Sequence, residues 1–234
     1  MRLDGEVAMI TGAAGNLGRA TANALASAGA RLVLIDLDAR ALAAAYGPDD
    51  PTRLSLAADL ADGDAIAAAV GQASERIGGV SVLCNLAGGF RMGTPVHETP
   101  DAVWRLMIEL NAGSILRTAR AVVPHMLTAG KGKIVNVAAM GGTVGGAEMG
   151  AYSASKSAVI RLTESMAAEL RDKGINVNCV MPSTIDTPPN RASMPKADFA
   201  KWVTPAALAD VILFLVSEQS RAINGAAIPV VGRV

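Results

Sequence analysis

Short apolar segments alternate with longer segments in which apolar residues recur every three or four positions, along almost the whole chain. Continuous short apolar runs are typical of strands buried on both faces of a parallel sheet, and the longer pattern is typical of amphipathic helices. Since the alternation continues without a repeat or a linker, it predicts one doubly wound α/β domain over residues 1–234. We expect about seven parallel strands with helices on both faces of the sheet.

The pattern also predicts where the elements lie. The predicted strands are residues 7–11, 31–36, 53–57, 80–84, 133–137, 175–180 and 227–230. The predicted helices are residues 18–28, 38–46, 62–77, 100–129, 152–171 and 205–217, and Pro124 is expected to kink the fourth of them. Residues 181–204 are rich in proline and are predicted to form a long loop of the kind that usually carries function.

Composition narrows the class of protein. The 21 basic and 21 acidic residues cancel, so the chain lacks the basic excess of a nucleic-acid-binding protein. No apolar run is long enough to span a membrane, and the first residues have no apolar signal core. We therefore expect a cytoplasmic protein with a small-molecule substrate. Cys84 and Cys179 lie in predicted buried strands without a CxxC or His pair, so neither a disulfide nor a metal site is expected.

The turn Thr11-Gly-Ala-Ala-Gly-Asn-Leu-Gly18 connects the first predicted strand to a helix. Glycines let a backbone approach a pyrophosphate, and a helix N-terminus offers free N–H groups and the positive end of a dipole. The next strand ends at Asp36, whose carboxylate can accept hydrogen bonds from an adenosine ribose and repel a 2′-phosphate. Together they predict dinucleotide binding, although an ordinary tight turn and a strand-end cap remain the alternatives.

Tyr152 and Lys156 are four residues apart in a predicted helix, so their side chains share one helix face. A nearby ammonium stabilises a phenolate and lowers the pKa of a tyrosine from about 10 toward neutrality. Such a tyrosine can act as a general acid or base during hydride transfer. The alternative is a surface tyrosine and lysine that share this common spacing by chance.

Taken together, these features resemble the short-chain dehydrogenase/reductase family, and the resemblance extends over nearly the whole chain. It is carried by Thr11-Gly12-Ala-Ala-Gly15-Asn-Leu-Gly18, Asp36, Asp59-Leu60, Asn85-Leu-Ala87-Gly88, Asn111, Tyr152-x-x-x-Lys156, Pro182 and Thr187. The resemblance implies a Rossmann-type fold, an NAD(P)H-dependent oxidoreductase and a homo-oligomer, either a tetramer or a dimer. Asp36 favours NADH, and NADP is a second cofactor that the chain can accept.

The resemblance also assigns roles to residues. It implies that Lys156 binds the nicotinamide ribose and tunes Tyr152, and that Asn111 belongs to a proton relay. The implied cofactor-binding residues are Gly12, Gly15, Asn16, Leu17 and Gly18 at the pyrophosphate, Asp36 at the ribose, Asp59 and Leu60 at the adenine, and Asn85, Ala87, Gly88, Tyr152, Lys156, Pro182 and Thr187 along the rest of the molecule. No metal is implied.

The chain departs from the family pattern at two positions. The middle glycine of the turn is Asn16, which tolerates a left-handed backbone better than most residues. The catalytic serine, expected 13 residues before Tyr152, is Ala139. Loss of one such hydrogen-bond donor typically costs about 10²–10³ in rate. Thr143 and Ser183 are the nearest hydroxyls in the sequence that can replace it.

One branch of the family, quinonoid dihydropteridine reductase, also lacks this serine, and residues 180–202 resemble its loop. A quinonoid dihydropterin is electron-poor, so it needs less help from a hydroxyl. Asn111 and Gly12-Ala-Ala-Gly15 instead resemble the general family. The alternatives are therefore a general 3-oxoacyl or carbonyl reductase and a nucleotide-binding regulator with weakened catalysis.

Two features of residues 181–204 have competing interpretations. Trp202 can cover a flat substrate ring or anchor the loop to the core. Asp186 and Arg191 can bind polar substrate groups or pair with each other on the surface.

Overall fold

A seven-stranded parallel sheet forms the centre of the molecule. The computed structural model describes all 234 residues. The strands are β1 (Val7–Thr11), β2 (Arg31–Asp36), β3 (Arg53–Ala57), β4 (Val82–Asn85), β5 (Gly132–Val137), β6 (Ile175–Pro182) and β7 (Ala227–Val230). They are arranged in the order β3-β2-β1-β4-β5-β6-β7, and every neighbouring pair is parallel. The predicted fold class and number of strands are confirmed.

Helices cover both faces of this sheet. They are α1 (Asn16–Ser27), α2 (Ala39–Tyr46), α3 (Gly63–Arg76), α4 (Asp101–Ile108), α5 (Ser114–Ala129), α6 (Gly150–Leu170), α7 (Pro188–Ser193) and α8 (Pro205–Val216). A core cluster of 27 buried residues lies on the face covered by α3, α5 and α6, and a cluster of 20 lies on the face covered by α1, α2 and α8.

The alternation of side chains within β1 shows why residues 7–10 of this strand are all apolar. Val7 and Met9 belong to the first cluster, whereas Ala8 and Ile10 belong to the second. Successive residues of a strand point to opposite faces, so a strand covered on both sides needs apolar residues at every position. The short continuous runs in the sequence are therefore a direct consequence of the two helical layers.

The helical segment predicted over residues 100–129 is observed, since α4, a π-helical turn and α5 follow one another without a break from Asp101 to Ala129. The π-helical turn is Glu109–Gly113, and Pro124 lies inside the continuous helix α5. A π turn inserts one extra residue and frequently occurs at functional sites. Here it contains Asn111, whose side chain bonds to the backbone of Gly89. The π turn, which the sequence did not predict, therefore carries a side chain that bonds to a segment distant in sequence.

Residues 181–204 are mostly loop, and they also contain the end of β6 and the short helix α7. Cys84 and Cys179 are free thiols in β4 and β6, and both are buried as predicted. No group of three or more His, Cys, Asp or Glu side chains is arranged to hold a metal ion. None of the helices combines the length and apolarity that a bilayer crossing requires.

Candidate active site

The site lies where the order of the strands reverses. β1 and β4 are neighbours in the sheet, although β2 and β3 separate them in sequence. In open α/β sheets, the crevice at such a reversal, beyond the carboxyl ends of the strands, is where ligands bind. Thr11 ends β1 and Asn85 ends β4, so the predicted glycine turn and the loop after β4 meet there.

The glycine turn can accommodate a pyrophosphate. Gly12 has a left-handed backbone with φ of 66°, and a Cβ at this position would lie 3.0 Å from the Ala87 backbone. A Cβ at Gly18 would collide with the carbonyl oxygen of Gly12. Helix α1 begins after Gly15 without a side-chain cap, whereas Asp38, Asp62 and Thr204 cap other helices. The residues present therefore fit a dinucleotide.

The sequence suggested that Asn16 replaces a glycine because asparagine tolerates a left-handed backbone, and this explanation is wrong. Asn16 is the first residue of α1, and Glu148 is the one non-glycine residue with a positive φ. The turn needs its left-handed residue at Gly12, which is retained. Asn16 therefore replaces the family's glycine without backbone strain.

Two side chains hold the glycine turn from the neighbouring elements. The N–H of Ala14 donates to Asp36 Oδ2 at 2.9 Å, and the hydroxyl of Tyr46 donates to the carbonyl of Ala13 at 2.6 Å. Asp36 thus faces the turn from the end of β2, at the predicted position. Tyr46 was not predicted, because only the fold brings the end of α2 to the turn.

The loop after β4 is fastened to the glycine turn by Thr11. Its Oγ1 accepts hydrogen bonds from the N–H groups of Leu86 and Ala87 at 3.1 and 3.2 Å. A Cβ at Gly88 would lie 2.7 Å from Asn111 Oδ1 and 3.3 Å from Lys156 Nζ. The absence of a side chain at Gly88 is therefore what allows both residues to approach the loop.

The side chain of Asn85, a residue that the resemblance places beside the cofactor, is engaged inside the core. Its side chain is buried, donates to Asn136 Oδ1 at 2.9 Å and accepts from Thr118 Oγ1 at 2.8 Å. Asn136 in turn donates to Thr163 Oγ1. Asn85 therefore connects β4 to β5 and α5 inside the core, and the cleft is lined by the backbone that follows it.

Asn111 joins the loop after β4 to helix α6. Its Oδ1 accepts from the Gly89 N–H at 2.9 Å, and its Nδ2 donates to the Gly89 carbonyl at 3.1 Å and to Ser155 Oγ at 2.9 Å. Ser155 donates to the Tyr152 carbonyl at 2.7 Å. The side-chain amide is thus occupied in holding the first turn of α6, which carries Tyr152.

Tyr152 lies at the start of α6 beside an aromatic ring. The ring of Phe90 meets it edge to face, with the centroids 4.7 Å apart. Burial raises the pKa of Tyr152 to about 12. The expected lowering of this pKa by Lys156 is not observed, since burial of the phenol is the cause that sets the direction of the shift. The phenol therefore stays protonated at neutral pH, as a proton donor must.

Lys156 is enclosed on the same helix. Its ammonium donates to the Val137 carbonyl at 2.8 Å, and a Cβ at Gly142 would lie 2.8 Å from the Lys156 backbone. Burial lowers the pKa of Lys156 to about 8. Burial disfavours the charged form of this lysine, and full burial of a lysine is rare in folded proteins.

The buried charge of Lys156 predicts a pH-dependent cost to stability. The folded chain releases this proton near pH 8 and the unfolded chain near 10.5, so the unfolded chain binds more protons in between and stability rises with pH. Relative to Lys156→Met, the free energy of unfolding of the unaltered protein should increase by about 3 kcal/mol from pH 8 to 10.5. Urea denaturation measures it, with Lys173→Met, an exposed lysine, as the control. If the free-energy difference between the unaltered protein and Lys156→Met stays constant with pH, the lowered pKa of Lys156 is contradicted.

Ala139 occupies the serine position at the end of the strand segment. It is 6% exposed, has an extended backbone and precedes the turn Met140–Gly142, which packs against Tyr152 through Gly141. Thr143 donates to the Met140 carbonyl at 2.8 Å, and Ser183 donates to the Val231 carbonyl at 2.9 Å. Both hydroxyls proposed from the sequence as replacements are therefore already engaged.

The remaining predicted cofactor residues have local structural partners. Asp59 accepts from the N–H of Ala61 at 2.8 Å, and the carbonyl of Leu60 accepts from Arg117 at 3.3 Å. Pro182 ends β6, and Thr187 caps α7 through the N–H of Asn190. All of them lie at or after the carboxyl ends of strands, on the same edge as the glycine turn.

The loop over the site is held by its own side chains. Arg191 donates two hydrogen bonds to the carboxylate of Asp186, so these two residues pair with each other. The guanidinium of Arg191 also lies 4.8 Å from the centre of the Phe199 ring. Trp202 is buried and packs on Phe199. Burial of Trp202 therefore favours its role as the anchor of the loop over the alternative that it covers a substrate ring.

The interpretation from sequence missed four residues that shape the site, namely Thr11, Tyr46, Phe90 and Ser155. Thr11 and Ser155 belong to the quoted motifs, so a hydroxyl within a motif was the available signal. Tyr46 and Phe90 act through tertiary contacts that no spacing in the sequence indicates.

The fold and the site define a dinucleotide-dependent oxidoreductase with a tyrosine–lysine pair. The family model described as short chain dehydrogenase matches residues 6–198. The chain belongs to the short-chain dehydrogenase/reductase family. This membership supports oxidoreductase activity with NAD(P).

Curated relatives match along nearly their whole length. Cis-4-hydroxycyclohexanecarboxylate dehydrogenase of Sinomonas cyclohexanicum is 35% identical over 243 residues, covering 97% of this chain and 95% of that protein. D-threitol dehydrogenase of Mycolicibacterium smegmatis is 35% identical over 237 residues, covering 96% and 91%. Among solved structures, carveol dehydrogenase from Mycobacterium avium in complex with NAD has a TM-score of 0.89 at 28% identity, covering 99% of this chain and 98% of that one.

Proposed function

We propose that this chain is an NADH-dependent reductase of electron-poor acceptors, such as a quinonoid dihydropterin or an activated carbonyl or imine, with Tyr152 as the proton donor. The observation that carries the proposal is Ala139 at the serine position, with Thr143 and Ser183 engaged elsewhere. A simple ketone develops negative charge on oxygen and depends on such a donor. An acceptor that gains aromatic character on reduction depends on it less.

The proposal assigns each residue a task toward the cofactor, which supplies a hydride when bound. Gly12, Gly15, Asn16, Leu17 and Gly18 hold the pyrophosphate at the start of α1, where free N–H groups and the helix dipole favour an anion. Lys156 and Asp36 bind the two riboses. The other proposed contacts are Asp59, Leu60, Asn85 through its backbone, Ala87, Gly88, Pro182 and Thr187.

Tyr152 gives its proton to the acceptor in this proposal. Its support is the protonated state of the half-buried phenol, whose pKa burial raises to about 12 from an ordinary value of about 10. Asn111 keeps Tyr152 in place through Ser155 and belongs to the relay that returns a proton from solvent. The proposal includes a cytoplasmic homo-oligomer, a tetramer or dimer packed through α4, α5 and α6; the exposed Trp104, Leu116 and Leu127 support that packing.

The test of the proposal is NADH oxidation with a panel of quinonoid pterins, quinones, diketones, simple ketones and 3-oxoacyl thioesters. Faster turnover of the electron-poor acceptors than of simple ketones is the expected result. Faster turnover of simple ketones or thioesters would instead favour a general carbonyl reductase. That alternative is supported by the relatives named as dehydrogenases of hydroxylated compounds. NADH binding without turnover of any acceptor would favour a regulator.

Asp36 is expected to make NADH bind about tenfold more tightly than NADPH, because a carboxylate beside a 2′-phosphate is a like-charge contact in a partly enclosed site. Asp36→Asn should remove most of this preference while retaining an oxygen for the Ala14 N–H. Fluorescence titration with both cofactors measures the ratio. Asp38→Asn is the matched control, since Asp38 is exposed and caps α2. Tighter NADPH binding by the unaltered protein would show that Asp36 has another role.

A further inference from the structure

Arg117 on α5 joins two parts of the molecule that are distant in sequence. One nitrogen of its guanidinium donates to the carbonyl of Leu60 at 3.3 Å, and another is paired with the carboxylate of Glu109. Its side chain is only 23% exposed. Glu109 begins the π turn and Leu60 belongs to the loop after β3, so the guanidinium bridges that loop and the turn.

Gly113 makes room for this pair. A Cβ there would lie 2.6 Å from Glu109 Oε2 and 3.0 Å from a guanidinium nitrogen of Arg117. Glu109, Gly113 and Asn111 all belong to the same five-residue π turn. The π turn is therefore connected to the backbone of Tyr152 by the hydrogen bonds of Asn111 and Ser155. It is connected to the loop after β3 by Glu109 and Arg117.

The loop after β3 belongs to the adenosine side of the crevice. β2 and β3 are neighbours, and Asp36 at the end of β2 is the carboxylate that faces the glycine turn. In folds of this type that carboxylate lies at the adenosine ribose, so the next strand end along the sheet lies beyond it on the same side. The backbone at Asp59 and Leu60 thus borders the adenosine half of a bound dinucleotide.

We propose that Arg117, held by Glu109, is a positioning residue that fixes the loop at Asp59 and Leu60 for the adenosine half of the cofactor. A charged donor holds a backbone carbonyl more firmly than a neutral one, and pairing with Glu109 limits the guanidinium to one orientation. This inference rests on one part of the proposed function, the binding of a nicotinamide dinucleotide, and does not depend on which acceptor is reduced. If the protein reduces none of the acceptors, the role of Arg117 can therefore still be tested by measuring cofactor binding.

The experiment compares Arg117→Met, Glu109→Gln and the control Arg120→Met. Arg120 lies on the same helix, is exposed and makes no ion pair or side-chain hydrogen bond. Dissociation constants are measured for NADH, for ADP-ribose, which contains the adenosine half, and for reduced nicotinamide mononucleotide, which lacks it. Hydrogen exchange of peptides covering residues 57–62 in the ligand-free protein reports directly on the loop.

In Arg117→Met the dissociation constants of NADH and ADP-ribose should both rise about tenfold, the order expected for a lost charge-assisted hydrogen bond. Glu109→Gln should raise both about threefold, because the guanidinium keeps its carbonyl partner but loses its anchor. The mononucleotide should bind all variants equally, and only the first two variants should show faster exchange over residues 57–62. Unchanged ADP-ribose binding in Arg117→Met would overturn the proposal. So would an equal loss of mononucleotide affinity, since that indicates a general disturbance of the fold.

Discussion

Tyr152→Phe is expected to lower turnover of the preferred acceptor by about 10²–10⁴-fold, the usual loss for a general acid, while NADH binding stays nearly unchanged. The substitution removes one oxygen and keeps the ring that packs edge to face on Phe90. The phenol is protonated throughout the neutral range, since the ordinary pKa of a tyrosine is about 10 and burial raises that of Tyr152 to about 12, so the loss should appear across this whole range. Stopped-flow NADH oxidation and fluorescence titration separate the rate from the binding.

The other tyrosine of the chain provides the matched control. Tyr46→Phe removes the hydroxyl that donates to the Ala13 carbonyl in the glycine turn. It should weaken NADH binding and leave turnover at saturating NADH unchanged, which is the opposite signature. Lys156→Ala should damage both binding and turnover. Near-normal rates for Tyr152→Phe on the preferred acceptor would remove Tyr152 from the mechanism and leave water, reached through Asn111, as the proton source.

The fold could be predicted because its two helical layers leave a direct mark on the sequence. A strand such as Val7–Thr11 is apolar at nearly every position because both its faces are covered, and near-continuous apolar runs of this kind allowed all seven strands to be found. The ends of the helices and strands were predicted less accurately. The π turn at Glu109–Gly113 was not predicted, and its residue Asn111 bonds to Gly89, a contact that no local pattern indicates.

The site could be predicted only as far as spacing determines it. The glycine turn, Asp36, Tyr152 and Lys156 lie on the expected edge of the sheet, since the carboxyl ends of parallel strands meet there. Contacts between distant segments decide the rest. The direction in which Asn85 points and the pKa of Tyr152 are set by neighbours and burial that no local pattern contains.

Ala139→Ser is expected to raise activity on simple ketones and diketones by about one to two orders of magnitude, scaled down from the rate that one oxyanion donor supplies. Ala139 has an extended backbone, and the turn that follows it packs against the Tyr152 ring through Gly141. The substitution adds a single oxygen, so the change in volume is small. Activity on a quinonoid pterin should hardly change, because the driving force lies in the acceptor's own ring.

Ala138→Ser is the control that separates the position of the hydroxyl from its mere presence. Ala138 is buried in the core cluster under α3, α5 and α6, and successive residues of an extended chain point to opposite sides. A serine there should lower stability and leave ketone reduction unchanged. The same ketone panel should be run on Thr143→Ala and Ser183→Ala. If the unaltered protein reduces ketones strongly and either variant abolishes this, the role of the serine has moved to that hydroxyl. The preference for electron-poor acceptors would then lose its chemical basis.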